Sequence, residues 1–203
     1  MSESTFKRDV IKISLLGNQS VGKTTIRNVF LKLDFNENSL STVGINKTDS
    51  IIKLDDGNEL KLVIWDTAGQ ERFHSISLST VKNSQGVILV YDVTNRQSFI
   101  DLNIWLDEIK QATDKVSVIL FGNKCEMEER QISKEEAKKF AKEHKLPYIE
   151  TSAKLNLNIN EGFMQVAKDA YKKYGTASGV NLKKKRKRRK VDFVKYNKYI
   201  FIK

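Results

Sequence analysis

The stretch Gly17-Asn18-Gln19-Ser20-Val21-Gly22-Lys23-Thr24 restricts this chain more than any other part of it. It stands between a short β-rich run, Val10 to Leu16, and a segment from Lys23 to Leu33 in which Ile26, Val29, Phe30 and Leu33 recur at helical spacing. A strand, a G-x-x-x-x-G-K-[ST] loop and a helix in that order form a phosphate cradle. Backbone N–H groups and a helix N-terminus surround the anion, Lys23 brings a point charge to the outer phosphates, and the Thr24 hydroxyl can reach Mg²⁺. A loop of this kind works only between a strand and a helix, which points to an α/β architecture.

The rest of the chain carries the same alternation. The runs Asp49 to Leu54 and Leu60 to Trp65 flank the turn residues Asp55-Asp56-Gly57-Asn58, so they are expected to form one antiparallel hairpin. Val87 to Tyr91 and Val116 to Phe121 are near-continuous apolar runs, as expected of strands buried on both faces at the centre of a parallel sheet. Helical spacing recurs from Ser98 to Lys110 (Phe99, Leu102, Leu106, Ile109), from Ser133 to His144 behind the capping pair Ser133 and Glu136, and from Ile159 to Tyr174. The expected fold is thus a mostly parallel six-stranded sheet with one antiparallel edge strand and helices on both faces. Residues 1–9 read as an N-terminal extension, 10–174 as the folded domain, and 175–203 as a linker and tail.

Composition excludes several classes. With 39% hydrophobic and 30% charged residues among 203, the chain is a folded domain rather than a disordered one. No apolar run approaches the roughly 18 residues of a spanning helix, and Met1 to Asp9 is too polar for a signal peptide, so a cytosolic or nuclear location is expected. One cysteine, Cys125, and two distant histidines, His74 and His144, leave no disulfide framework and no zinc cluster to expect.

Chemistry gathers at three further places. Trp65-Asp66-Thr67-Ala68-Gly69-Gln70-Glu71 ends the third strand with a carboxylate able to hold a metal's water shell, a glycine whose N–H can approach a γ-phosphate, and a glutamine able to orient water. Asn123-Lys124-Cys125-Glu126 follows the fifth strand, and Glu150-Thr151-Ser152-Ala153-Lys154 the sixth. In this order, behind this loop, the set resembles the small GTPases of the Ras superfamily, and most closely the Rab family. The resemblance spans about Val10 to Tyr174, with WDTAGQERF and YDVTNRQSF its most Rab-like stretches.

The resemblance implies a G domain that binds GTP and GDP with Mg²⁺ and hydrolyses GTP. Gly17 to Thr24, with Thr25, would cradle the phosphates, and Phe35 would pack on guanine. Thr42 would close on Mg²⁺ and the γ-phosphate, joining Thr24 and Asp66 as metal-side groups. Gly69 and Gln70 would act on the γ-phosphate and the attacking water, with Gln70, Thr42 and Lys23 as the catalytic set. Asn123, Lys124, Glu126, Ser152, Ala153 and Lys154 would hold the base. An exchange factor, a GTPase-activating protein and effectors are the implied partners, vesicle traffic the implied setting, and a monomer the implied state.

The chain also departs from the family pattern. Glu126 stands where the family carries Asp; it keeps two acceptors for guanine N1–H and the 2-amino group but adds a methylene, so affinity should fall while preference over adenine remains. Gln19 and Ser20 occupy positions where smaller residues and glycine are usual, so hydrolysis is expected to be slow or resistant to activating proteins. Lys47 takes the place of an aromatic residue, and Thr80-Val81-Lys82-Asn83-Ser84 replaces a tyrosine-rich stretch, so partners that read an aromatic patch should bind poorly.

The net charge of +11 sits almost wholly in Lys183 to Lys203, whose eleven basic residues and one Asp leave the first 182 residues near neutral. For the run Lys183 to Lys190 three readings are open: a solvated tail, a nuclear-localisation or nucleic-acid patch, and attraction to anionic lipid. Val191, Phe193, Val194, Tyr196, Tyr199, Ile200, Phe201 and Ile202, mixed with lysines, lean towards peripheral attachment at an endomembrane surface. No cysteine follows Cys125 and Ser2 follows Met1, so neither prenylation nor myristoylation is expected. Two other functions stay in view: a guanine-nucleotide-binding scaffold with little turnover, and a nuclear or nucleic-acid-associated GTPase using its tail.

Overall fold

A computed structural model describes residues 9–33, 45–67 and 79–174. The strands are β1 (Asp9–Leu16), β2 (Ile45–Lys53), β3 (Glu59–Thr67), β4 (Gly86–Asp92), β5 (Ser117–Asn123) and β6 (Tyr148–Glu150). The helices are α1 (Lys23–Phe30), α2 (Arg96–Ile100), α3 (Leu102–Ala112), α4 (Lys134–Glu143) and α5 (Ile159–Tyr174). The sheet order is β2-β3-β1-β4-β5-β6, and only the β2–β3 pair is antiparallel. The expected α/β fold is therefore the observed one, with β2 as its antiparallel edge strand.

Strand order reverses between β1 and β4, the place in an open α/β sheet where ligands bind beyond the strand C-terminal ends. The loop after β1 lies there. β1 and β4 are the central strands; β5 sits one place further out, because the three-residue β6 adds only a short edge to it.

Alternating side chains divide the core into two layers. On β4, Ile88 and Val90 face the layer of α1 and α5, where Ile26, Ile159, Phe163, Val166 and Ala170 pack on Ile13, Leu15 and Phe121. Val87, Leu89 and Tyr91 face the other layer, with Phe99 of α2, Leu102, Trp105, Leu106 and Ile109 of α3, and Ala137 and Ala141 of α4. A strand apolar on both faces reads as a continuous run, which is why periodicity alone could not assign its sides. Each large side chain buried this way contributes about 1.5–3 kcal/mol.

Local chemistry closes the elements as the residues require. Gly57 takes φ 84° in the β2–β3 turn, where Asp56 accepts from the Asn58 backbone N–H and side-chain amide at 3.1 and 2.8 Å. Ser133 accepts the Glu136 N–H at 3.1 Å to cap α4, while the Glu136 carboxylate pairs with Arg96. Several expected elements differ in extent, and β2 begins at Ile45 rather than Asp49. α1 ends at Phe30 rather than Leu33, with Lys32 turned to φ 58°. The single helix expected from Ser98 to Lys110 is α2 and α3, interrupted at Asp101, whose carboxylate accepts from Gln97 and Asn18.

Candidate functional site

The loop after β1 is shaped by close approach and by one buried lysine. Gly17 (φ 130°) passes so near β4 that a Cβ there would lie 2.1 Å from the Val90 carbonyl oxygen. Gly22 (φ 98°) caps α1, and a Cβ on it would meet Asn123 Nδ2 at 2.3 Å. Ser20 adopts the left-handed region at φ 64° without being glycine. No side chain caps α1, and its first turn carries no acid, so the helix N-terminus keeps its positive end for an anion. Lys23 lies within this loop, donating from Nζ to the carbonyl oxygens of Gly17 and Asn18 at 2.8 and 2.7 Å. Burial brings its ammonium down to about 8, with the nearby Asp66 carboxylate opposing the shift.

Asp66, near the end of β3, is fully buried. Its Oδ2 accepts from Thr24 Oγ1 at 2.7 Å and lies 3.0 Å from Arg27 Nη1, while Oδ1 is buried without a hydrogen-bond partner. Burial pushes the carboxyl upward; the Thr24 bond and the charges of Arg27 and Lys23 pull the other way. A buried carboxylate oxygen left open beside a threonine hydroxyl fits a hard divalent cation, which takes oxygen ligands from one or two carboxylates together with phosphates. Thr24 and Asp66 are the described residues that suit such an ion.

At the next strand but two, Asn123 joins three segments. Its Nδ2 donates to the Val21 carbonyl at 2.9 Å, and its Oδ1 accepts from Thr151 Oγ1 and from the Ala153 N–H, both at 3.3 Å. The loops carrying Val21, Asn123 and Ala153 are therefore held as one unit. Lys124, in the left-handed region at φ 63°, pairs through Nζ with Asp92 at 2.5 Å. Glu126 has a buried Oε2 with no hydrogen-bond partner. Ser152 Oγ accepts from the Leu155 N–H at 2.9 Å, which shapes the turn that carries the exposed Lys154.

The fold thus brings Gly17 to Thr24, Asp66, Asn123, Lys124, Glu126 and Ser152 to Lys154 to one end of the sheet. Val21 is buried, Thr25 half-buried and Gln19 exposed. Asn18 presents its side chain to α3, donating to Asp101 at 2.5 Å and accepting from Trp105 Nε1 at 2.8 Å. Phe35, Thr42, Gly69 and Gln70 lie outside the described residues, as do residues 1–8 and the tail 175–203.

Several participants carry no motif. Arg27 falls in the α1 pattern without marking itself, although it follows Lys23 by four residues and Thr24 by three and so shares their helix side. Arg130 binds Glu150 at 2.7 Å and the Ile132 carbonyl at 3.2 Å, tying the segment after Glu126 to β6. Only an ion pair between distant positions reveals it. On the outer face of β2 and β3, Lys47 places its ammonium 5.7 Å from the Trp65 ring centroid. Thr80 and Ser84 turn inward, and both bond to Ser14 Oγ, at 3.0 and 2.8 Å.

The Ras family profile matches residues 12–172. The chain is 39% identical over 168 residues to rat Ras-related protein Rab-13, covering 82% of each chain. It is 41% identical over 166 residues to Rab-10 of Diplobatis ommata, covering 81% of this chain and 82% of that one. To rat Rab-8A it is 40% identical over 162 residues, or 79% and 78% of the two chains.

Proposed function

Because the chain belongs to the Ras family of small GTPases as a Rab-like member, we propose that it binds GTP and GDP with Mg²⁺ and hydrolyses GTP as a switch in membrane traffic. The observation that carries the reading is the pair of open carboxylate oxygens, Asp66 Oδ1 and Glu126 Oε2. Both are buried and without hydrogen-bond partners; one adjoins Thr24 of the phosphate loop, and the other follows Asn123, which is bonded to the same loop. Leaving such atoms unpaired costs about 1–3 kcal/mol each, or more when charged, so they suit a ligand that completes them. A cation at Asp66 and a guanine edge at Glu126 are complementary partners.

In this reading the loop N–H groups and Lys23 hold the phosphates, and Thr24, Asp66 and Thr42 hold the ion. Mg²⁺ supplies charge neutralisation on the outer phosphates. Asn123 keeps the base-side and phosphate-side loops in register, Glu126 accepts from guanine, and Ser152 to Lys154 close the base site. Gln70 would orient water on the γ-phosphate, and loss of that phosphate would be the switching event. Exchange factors, activating proteins and effectors belong to the same proposal. The Lys47–Trp65 contact and the inward Thr80 and Ser84 support an effector surface that is cationic where an aromatic patch is usual.

No helix among the described residues is long and apolar enough to cross a membrane. The proposed membrane contact is peripheral, through Lys183 to Lys203. Vesicles rich in phosphatidylserine should capture the full chain and lose it on deletion of that segment. Binding to nucleic acid with a steep salt dependence, lost on the same deletion, would replace this reading with the nuclear one.

Nucleotide content and single-turnover hydrolysis of the purified protein test the main proposal. Bound guanine nucleotide and hydrolysis abolished in Gln70→Leu are the expected results. Guanine nucleotide without turnover favours the scaffold, which the exposed Gln19 would suit. Absence of guanine nucleotide overturns the proposal.

A further inference from the structure

Glu126 hangs from backbone that is gripped on both sides of Cys125. The Cys125 N–H donates to the Thr151 carbonyl at 3.1 Å, and the Cys125 carbonyl, in the peptide unit that leads into Glu126, accepts from Arg130 Nη2 at 3.5 Å. Arg130 Nη1 donates to the Ile132 carbonyl at 3.2 Å and to Glu150 Oε1 at 2.7 Å. Tyr148 donates its hydroxyl to the same carboxylate oxygen at 3.1 Å, and Lys134 Nζ stands 3.7 Å from Oε2. Because Glu150 precedes Thr151, one guanidinium holds the Glu126 segment directly and also fixes the end of β6 that receives the Cys125 N–H.

The Glu126 side chain has no such hold of its own: its Oε2 is buried with no hydrogen-bond partner. Its direction therefore follows from the backbone that carries it. A carboxylate that pairs with both the N1–H and the 2-amino group of guanine must lie in the plane of the base, and a small tilt keeps one bond while losing the other. The fixed fork of a guanidinium can meet three acceptors at once, which a lysine ammonium on its flexible stem cannot. With the Arg130 and Glu150 side chains 27% and 14% exposed, water competes only in part for the pair.

Resting on the guanine-nucleotide reading above, we propose that Arg130, through Glu150 and the Cys125 carbonyl, sets the direction of Glu126 and so decides how strongly this chain prefers a purine that carries a 2-amino group. Arg130 is a positioning residue: it acts on the base only through Glu126. Loss of the guanidinium lets the Glu126 carboxylate tilt, so the bond to the 2-amino group goes and the bond to N1–H stays.

The test is the affinity of the full chain for GDP and for inosine diphosphate, which lacks only the 2-amino group, measured by competition against a fluorescent GDP. The unaltered protein should prefer GDP by about 10- to 100-fold, as one hydrogen bond to a charged group implies. Arg130→Met should bring the ratio of the two affinities to within about threefold of unity. Arg130→Lys keeps one donor for Glu150 and loses the span, so it should melt near the unaltered protein and still give up at least ~threefold of the ratio. A loosened fold weakens both nucleotides together, so a ratio unmoved in either folded variant marks Arg130 as merely structural and overturns the proposal. Arg130→Lys decides the matter where Arg130→Met does not fold. A ratio near one in the unaltered protein overturns the proposal as well. Failure of the unaltered protein to bind the GDP probe refutes the guanine-nucleotide reading and this inference with it; binding of GDP with an unmoved ratio refutes the inference alone.

Discussion

Trp105 of α3 donates its indole N–H to Asn18 Oδ1 across 2.8 Å, so the phosphate loop is braced from a helix on the far layer of the sheet. Asn18 extends the brace to Asp101 through its amide at 2.5 Å. Its side chain is a support for the loop.

That brace has a measurable coupling. Trp105→Phe keeps a smaller aromatic ring in the core and removes the donor; Asn18→Ala removes the acceptor together with the amide that reaches Asp101. Each should lower unfolding free energy by about 1 kcal/mol or somewhat more, and a double-mutant cycle should return a coupling of ~1 kcal/mol. Additive single effects in denaturant titrations would show that the bond carries no stability.

Ser20 and Gly22 should respond in opposite directions. Ser20 is held at φ 64°, which costs a residue with a Cβ about 1–2 kcal/mol, so Ser20→Gly should leave the protein equally stable or stabilise it by up to ~1 kcal/mol once the greater unfolded freedom of glycine is counted. Gly22→Ala adds a methyl 2.3 Å from Asn123 Nδ2 at φ 98°. It should break the Asn123–Val21 bond and cut GDP affinity at least ~100-fold, as read by fluorescence titration.

The lowered Lys23 value sets a pH dependence. The free protein loses the Lys23 proton near pH 8, but phosphates give the ammonium a counter-charge, so binding takes up a proton above that pH. GDP affinity should be flat below about pH 8 and fall by up to about tenfold per unit above it, measured by calorimetry between roughly pH 7 and 9. Stability of the nucleotide-free protein moves the other way. Between about 8 and the ordinary lysine value of 10.5 the unfolded chain holds more protons, so the Lys23 contribution to stability rises with pH in that window. A slope retained in Lys23→Met would assign the affinity effect to another group.

Glu126 should act on base choice. Its open Oε2 faces no protein donor, and shortening the side chain in Glu126→Asp should raise GDP affinity by about tenfold through an unretracted approach to guanine. Glu126→Ala removes both acceptors and should bring GTP and ATP to within about tenfold of each other. Equal affinity of the unaltered protein for GTP and ATP would contradict the assignment of Glu126 to guanine.

Much of the fold was legible because it rests on local chemistry. The hairpin follows from Asp56, Gly57 and Asn58, the α4 start from Ser133, and the full length of α5 from its apolar spacing. The interruption at Asp101 was not legible, because the apolar stripe runs across it and the carboxylate's partner Asn18 comes from another part of the chain. In the site, the loop, Asp66 and the Asn123 segment announced themselves by motif. Arg27, Trp105 and the Arg130–Glu150 pair did not, since an arginine in a helix or a tryptophan in an apolar stripe has the same local pattern in either role.

By itself the amino-acid order determined the alternation of strands and helices, the phosphate-loop motif and the membership of the chain in its family, because turns, caps and periodicity depend on neighbours along the backbone. Only the tertiary structure decided which face each buried strand residue takes, that Asn18 leans on Trp105, that Thr80 and Ser84 turn inward to Ser14, and that the charge of Arg27 lies against Asp66. A charged or amide side chain takes its role from the group placed opposite it, and sheet order and layer packing set that placement.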